Sequence, residues 1–179
     1  MYTTFVVGVH DEQGKVVEID FPLTIIGESK DGCTIIGGLK MKGKKEDDVT
    51  VKHLTISQSK GSGVYGDNGM SFHLFHLNIE KSEGNGVFVY KTKRSTMSNC
   101  QVSHSKCSGV WVDDGLITIN GSGTSIHNNV TDGDSVHYGL YTSSSSSLIH
   151  LVSPLTKESV SINNGGGGNC SGSGTIKTI

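Results

Sequence analysis

The sequence contains no alanine, and only two prolines, one arginine and one tryptophan in 179 residues. Alanine is the strongest helix former and glycine among the weakest. With no alanine and 25 glycines, a helical bundle is excluded. The glycines follow no three-residue period and proline is scarce, which excludes a collagen. No apolar run approaches the roughly 18 residues of a membrane helix. The formal charge is −2, and the one short basic cluster, Lys91, Lys93 and Arg94, is no footprint for nucleic acid. Neither nucleic acid nor membrane is therefore an expected partner. The opening MYTTFVVGVHDEQG lacks a basic start and a sustained apolar stretch, so no signal peptide is expected. Cys33, Cys100, Cys107 and Cys170 form no CxxC pair and are expected as reduced thiols in or near the core.

What is present is a repeat. Residues 54–65 read LTISQSKGSGVY, residues 77–88 read LNIEKSEGNGVF, and residues 100–111 read CQVSHSKCSGVW, each 23 residues after the last. Ile56, Ile79 and Val102 share a column, as do Ser59, Ser82 and Ser105, and Gly63, Gly86 and Gly109. Tyr65, Phe88 and Trp111 form an aromatic column, which Tyr141 continues in a looser fourth copy. Apolar and polar residues alternate between the glycines and serines, the mark of short strands with one buried face. The first clear copy predicts strands near 54–57, 63–66 and 70–75. Three short strands per repeat, stacked in register, make a parallel β-solenoid. About five coils of 23 residues are expected over 23–179. FVVGVH and KVVEID around Asp11–Gly14 predict an N-terminal β-hairpin cap over 1–22.

These segments resemble the right-handed parallel β-helix proteins of the pectate lyase-like superfamily. The 23-residue coil, the Asn and Ser columns at turns and the opening LTIIGESKDGCTIIGG carry the resemblance over residues 23–179. The stretch SSSSSLIHLVSPLTKESVSINNGGGGN is similar to a β-helix family of algae and large viruses. The superfamily includes polysaccharide lyases, glycoside hydrolases, uronate epimerases and viral fibre domains, so the resemblance implies a fold and right-handedness without choosing a function.

Column arithmetic then maps the surface. Tyr65, Phe88, Trp111 and Tyr141 follow inward residues and should face outward, where rings can stack on sugars or on one another. Beside them run Asp67, Tyr90 and Asp113, then Asn68, Lys91 and Asp114. Tyr90, Lys91 and Asp113 join the aromatic column as candidate ligand-binding residues. Solvated charge alternation explains the same pattern. A further set, His104, His127, Asp134, His137 and Tyr138, gathers candidate acid and base groups around an insertion at about 129–138. No HxH or HxxxH pair recurs, so no metal or cofactor is expected. Asn99, Asn128, Asn129, Asn163 and Asn164 are read as turn residues forming amide ladders, and Ser143–Ser147 as a flexible loop. The leading expectation is a binding or structural β-helix domain that recognises glycans on its rung surface. The alternative is a lyase or epimerase acting on an acidic polysaccharide. The strand-like end GTIKTI predicts an open edge that meets another copy or a further domain.

Overall fold

A computed structural model describes residues 2–179. The chain winds through three parallel faces. Face one stacks eight strands in the order Tyr2–Val6, Leu23–Gly27, Asp48–Lys52, Ser71–Phe75, Ser95–Ser98, Leu116–Asn120, Leu148–Leu151 and Thr175–Thr178. Face two stacks Thr55–Ser57, Asn78–Glu80, Gln101–Ser103, Ser125–His127 and Ser161–Ile162. Face three stacks Val64–Asp67, Val87–Tyr90, Val110–Asp113, Leu140–Thr142 and Cys170–Gly172. Two long strands, Gly8–Ile19 and Cys33–Met41, run through both faces two and three and join them into one sheet. The three strands expected in the first clear repeat thus lie within a residue or two of their predicted bounds.

The register is the one the repeat implies. Ile35, Ile56, Ile79, Val102 and Ile126 pair in line on face two, and Val64, Val87, Val110 and Leu140 on face three. Val51, Leu74, Met97, Ile119 and Leu151 line face one. All of these side chains are buried, each worth about 1.5–3 kcal/mol relative to exposure. Cys100 stands in the interior column of Leu54 and Leu77, and burial pushes its thiol up to about 11. The four cysteines are free thiols, Cys33 and Cys100 buried, Cys107 and Cys170 half-buried.

Corners are turned by single left-handed residues. His53, His76 and Asn99 follow face one; Gln58, Lys81, His104, Asn128 and Asn163 follow face two; Asn68, Lys91 and Asp114 follow face three, all with φ between 48° and 57°. Asparagine tolerates this region best, which accounts for the Asn columns. The amide ladder also forms. Asn129 Nδ2 donates to Val102 O at 2.9 Å, His127 O at 3.1 Å and Asn164 Oδ1 at 3.0 Å, and its Oδ1 accepts from Ser105 N at 3.1 Å.

Three expectations are corrected. Residues 2–19 form no hairpin: Tyr2–Val6 pairs in parallel with Leu23–Gly27, and Gly8–Ile19 in parallel with Cys33–Met41. Gln13 and Gly14, at φ 57° and 75°, make a corner with a register shift rather than a reversal. The segment is therefore the first coil of the stack, and the coils number about eight rather than five. Ser143–Ser147 is no loose loop: Ser147 is buried and accepts from the amides of Asp114 and Ser144, while Ser146 donates to Asp114. A short helix, Lys157–Val160, capped reciprocally by Thr156 and Ser159, had no expected counterpart. Among the described residues no helix is long and apolar enough to cross a membrane.

Candidate functional site

The outer surface of face three carries the aromatic column. Register places Lys40, Tyr65, Phe88, Trp111 and Tyr141 in one line. Tyr65 and Phe88 stack at 4.8 Å with 14° between planes. Trp111 stands edge-on to both neighbours, at 5.9 Å from Phe88 and 4.9 Å from Tyr141. The faces of Tyr65 and Phe88 are therefore occupied by one another, so the column is first a cross-strand ladder that stiffens the sheet. Lys40 caps it, with its ammonium 5.3 Å from the Tyr65 ring centre, 3.0 Å from Asp67 and 3.4 Å from Glu18. Burial, then Asp67, pushes the Tyr65 phenol up to about 12, which keeps it neutral.

The polar flank is more open. Tyr90 pairs in register with Asp67 and Asp113. Asp113 accepts a 2.7 Å bond from the Ser143 hydroxyl. The Ser146 hydroxyl holds the Asp114 carboxyl below its usual value. Lys91 lies with its ammonium 4.9 Å from the Tyr90 ring centre. Where face three turns into face one, Lys45, Gly69, Ser71, Lys91, Lys93 and Arg94 line a depression of about 200 Å³. Arg94 is committed within the fold: it donates to Asp48 Oδ1 and Lys45 O, each at 2.8 Å. Lys93 donates to Asp114 O at 2.8 Å. Among the described residues no side-chain carboxylate pairs with Lys45, Lys91 or Lys93 within 4.0 Å.

The five candidate acid and base residues divide into two groups. His104 and His127 are edge-to-face at 6.4 Å on face two. Burial, then the charge of His104, holds His127 below its ordinary value. The insertion instead reaches face three: His137 lies 5.9 Å from Trp111, and Tyr138 stacks on Tyr141 at 5.3 Å. Asp134 Oδ1 accepts from Val136 N at 3.1 Å within the loop. Among the described residues no hydrogen bond, ion pair or ring contact joins His104 or His127 to Asp134, His137 or Tyr138. The insertion also assembles a group that spacing alone did not expose. One ligand atom each of Cys107, Asp132 and His137 lies within 4.8 Å of the others. The available signal was Cys107 itself, which stands where the two preceding repeats have Gly61 and Gly84.

With three parallel faces and coils about 23 residues apart in view, comparison with known proteins settles the family. The sequence model described as "right handed beta helix region" matches residues 23–178. The chain belongs to the right-handed β-helix family. No curated protein and no solved structure matches this β-helix.

Proposed function

We propose that this β-helix is a polysaccharide-binding domain and that an acidic glycan lies across the outer surface of face three. The observation that carries the reading is the lysine-lined depression of about 200 Å³ beside Tyr90. Lys45, Lys91 and Lys93 offer ammonium donors to a carboxylate or sulfate. The ladder from Tyr65 to Tyr141 supplies a rigid apolar edge alongside, and Tyr90 and Asp113 supply hydroxyl and carboxylate groups for sugar hydroxyls. Calorimetry with polyuronates and neutral polysaccharides tests it. Salt-sensitive binding of the acidic polymers, weakened at least tenfold by Lys91→Ala with Lys93→Ala and weakened by Trp111→Ala, is expected. Absence of binding to every acidic polymer, or binding indifferent to these variants, rejects it.

A catalytic reading is favoured by one feature. The insertion brings an imidazole, His137, and a phenol, Tyr138, to the end of the same ladder, and both groups can move protons. As a lyase or epimerase the protein would release unsaturated uronate ends or exchange the proton at C5, and Tyr138→Phe would slow either. A full panel of uronate polymers left unchanged dismisses this reading.

Association with a second copy belongs to the same proposal. Tyr2, Phe5, Val7 and Val9 in the first coil are between 66% and 74% exposed, against 0% for most of the core. Light scattering that reads a mass above the 18.9 kDa of one chain supports association, and a monomer mass rejects it.

A further inference from the structure

The connection from face two to face three is written three times as Lys60-Gly61-Ser62-Gly63, Glu83-Gly84-Asn85-Gly86 and Lys106-Cys107-Ser108-Gly109. A side chain at the second position is disfavoured in the regular stack: a Cβ on Gly84 would stand 3.0 Å from the backbone of Gly61 and of Ser62. The third copy nevertheless carries a thiol there. It is also the copy over which the following coil inserts residues 129–138. The departure from the repeat and the insertion therefore meet at one place.

The insertion is held firmly against that turn. Val130 N donates to Cys107 O at 3.0 Å, Thr131 N to Ser105 O at 3.1 Å, and Tyr138 N to the Ser108 hydroxyl at 3.1 Å. Gly109 N donates to Tyr138 O at 3.1 Å, and Gly167 N to His137 O at 2.9 Å, so both ends are fixed. Within the loop, the Asp134 amide donates to Asp132 Oδ1 at 3.0 Å. That leaves Asp132 Oδ2, which stands 3.7 Å from His137 Nδ1. This nitrogen is buried and has no hydrogen-bond partner among the described residues. The Cys107 thiol completes a set of three donors mutually within 4.8 Å. Cys107 and His137 are half-buried and Asp132 is exposed, so one side of the cluster is open to solvent.

We propose that Cys107, Asp132 and His137 bind a zinc ion, with the fourth position of a tetrahedron open to water. Thiolate, imidazole and carboxylate are zinc donors at about 2.3, 2.1 and 2.1 Å, which sets neighbouring donor atoms about 3.5 Å apart. The 3.7 Å between His137 and Asp132 is already close to one such edge. The thiolate and imidazole favour zinc over the hard oxygen-seeking cations calcium and magnesium. Burial, then the carboxylates of Asp132 and Asp134, raise the Cys107 thiol, so without a cation this is no activated nucleophile. A divalent cation reverses that balance, turning two repelling acids into ligand and neighbour. Bound zinc would tie the insertion to the preceding coil beside Trp111, independently of whether face three binds a glycan.

Cobalt and zinc titrations of the chelator-treated full chain test the site. Cobalt is expected to give a thiolate charge-transfer band at one ion per chain and, through His137, to quench Trp111, the only tryptophan. Zinc should displace the cobalt. Cys107→Gly, which restores the residue of the two other copies, should abolish the band. Asp132→Asn and His137→Gln should each weaken binding at least tenfold, and Cys170→Ser should leave it unchanged. Circular dichroism on every variant checks that the fold is kept. No stoichiometric ion in the parent chain overturns the proposal. So does a band that survives Cys107→Gly, or one indifferent to both Asp132→Asn and His137→Gln.

Discussion

Faces two and three are joined in two different ways within this molecule. In the regular coils, residues 58–63 and 81–86 cross between them with one left-handed residue, one buried serine and a glycine that admits the next coil. In the later coil, residues 128–139 cover the same ground with Asn129 in place of the serine and a loop in front of it. The first kind of crossing is stabilised by close approach. A Cβ on Gly63 would stand 2.6 Å from Ile79 Cγ2, and one on Gly86 would collide with Val102 Cγ1. Its serines bond only locally or not at all: Ser59 donates to Ser62 O at 2.9 Å and accepts from Gly61 N at 3.2 Å within its own turn, while the buried hydroxyls of Ser82 and Ser105 have no partner among the described residues. The second kind cannot rely on identical neighbours, because the insertion interrupts the stack. It relies on side-chain amide bonds between Asn129 and the backbone of Val102, Ser105 and His127, and on to Asn164. Where the repeat is regular the solenoid is held by shape; where it is interrupted it is held by a polar network, and side chains able to do chemistry collect there.

Substitutions at the two crossings should differ in cost. Asn129→Ala removes the bond accepted from Ser105 N and those donated to Val102 O and Asn164 Oδ1 in a buried setting, and should cost about 3 kcal/mol in urea denaturation. A cost below about 1 kcal/mol would mean that the network does not hold the interrupted coil. Gly86→Ala should cost about 2 kcal/mol through overpacking against Val102, and an unchanged midpoint would mean that the regular crossing has room to spare. Ser82→Ala should fall within about 0.5 kcal/mol of the parent or slightly above it, since an unpaired buried hydroxyl is lost. A loss approaching that of Asn129→Ala would erase the distinction between the two crossings.

Acid offers a smaller probe of the later coils. His127 is held below its ordinary value by burial and then by His104, and His150 by burial and then by Lys177. The unfolded chain therefore takes up these protons first. Their contribution to stability is present above about pH 6.5 and is lost as the pH falls through that value toward the lower folded values, with no further change below them. His127→Gln with His150→Gln should flatten the fall in midpoint on acidification, and a fall of unchanged steepness would place its cause elsewhere.

The regular coils were legible because their neighbours are copies. The columns Ile56–Ile79–Val102 and Tyr65–Phe88–Trp111 specify register without any knowledge of the fold, and the structure pairs them in register. The first coil was misread because Asp11–Gly14 carries the same local chemistry whether the chain reverses or merely turns a corner. Only the parallel pairing with Cys33–Met41 decides it, and that pairing is not visible in Asp11–Gly14 itself. The coil count was low for the same reason: the early and late coils vary in length, so their register is invisible to alignment. The site was half legible. The insertion and its His137 and Tyr138 stood out, but their partners, Trp111, Tyr141 and Cys107, follow from how the loop folds over the preceding coil, which spacing does not encode. His104 and His127 were grouped with the insertion by nearness in sequence, yet they lie at face two.

The claim that the regular coils are scaffold and the interrupted crossing holds chemistry is tested most directly by the thermal midpoint of the parent and of Cys107→Gly, each with and without excess zinc. A ligand at about 100 times its dissociation constant adds about 2.7 kcal/mol to the folded state. The parent should gain several degrees with zinc, whereas Cys107→Gly should match the zinc-free parent and gain nothing. Equal gains in both proteins, or none in the parent, would contradict the account.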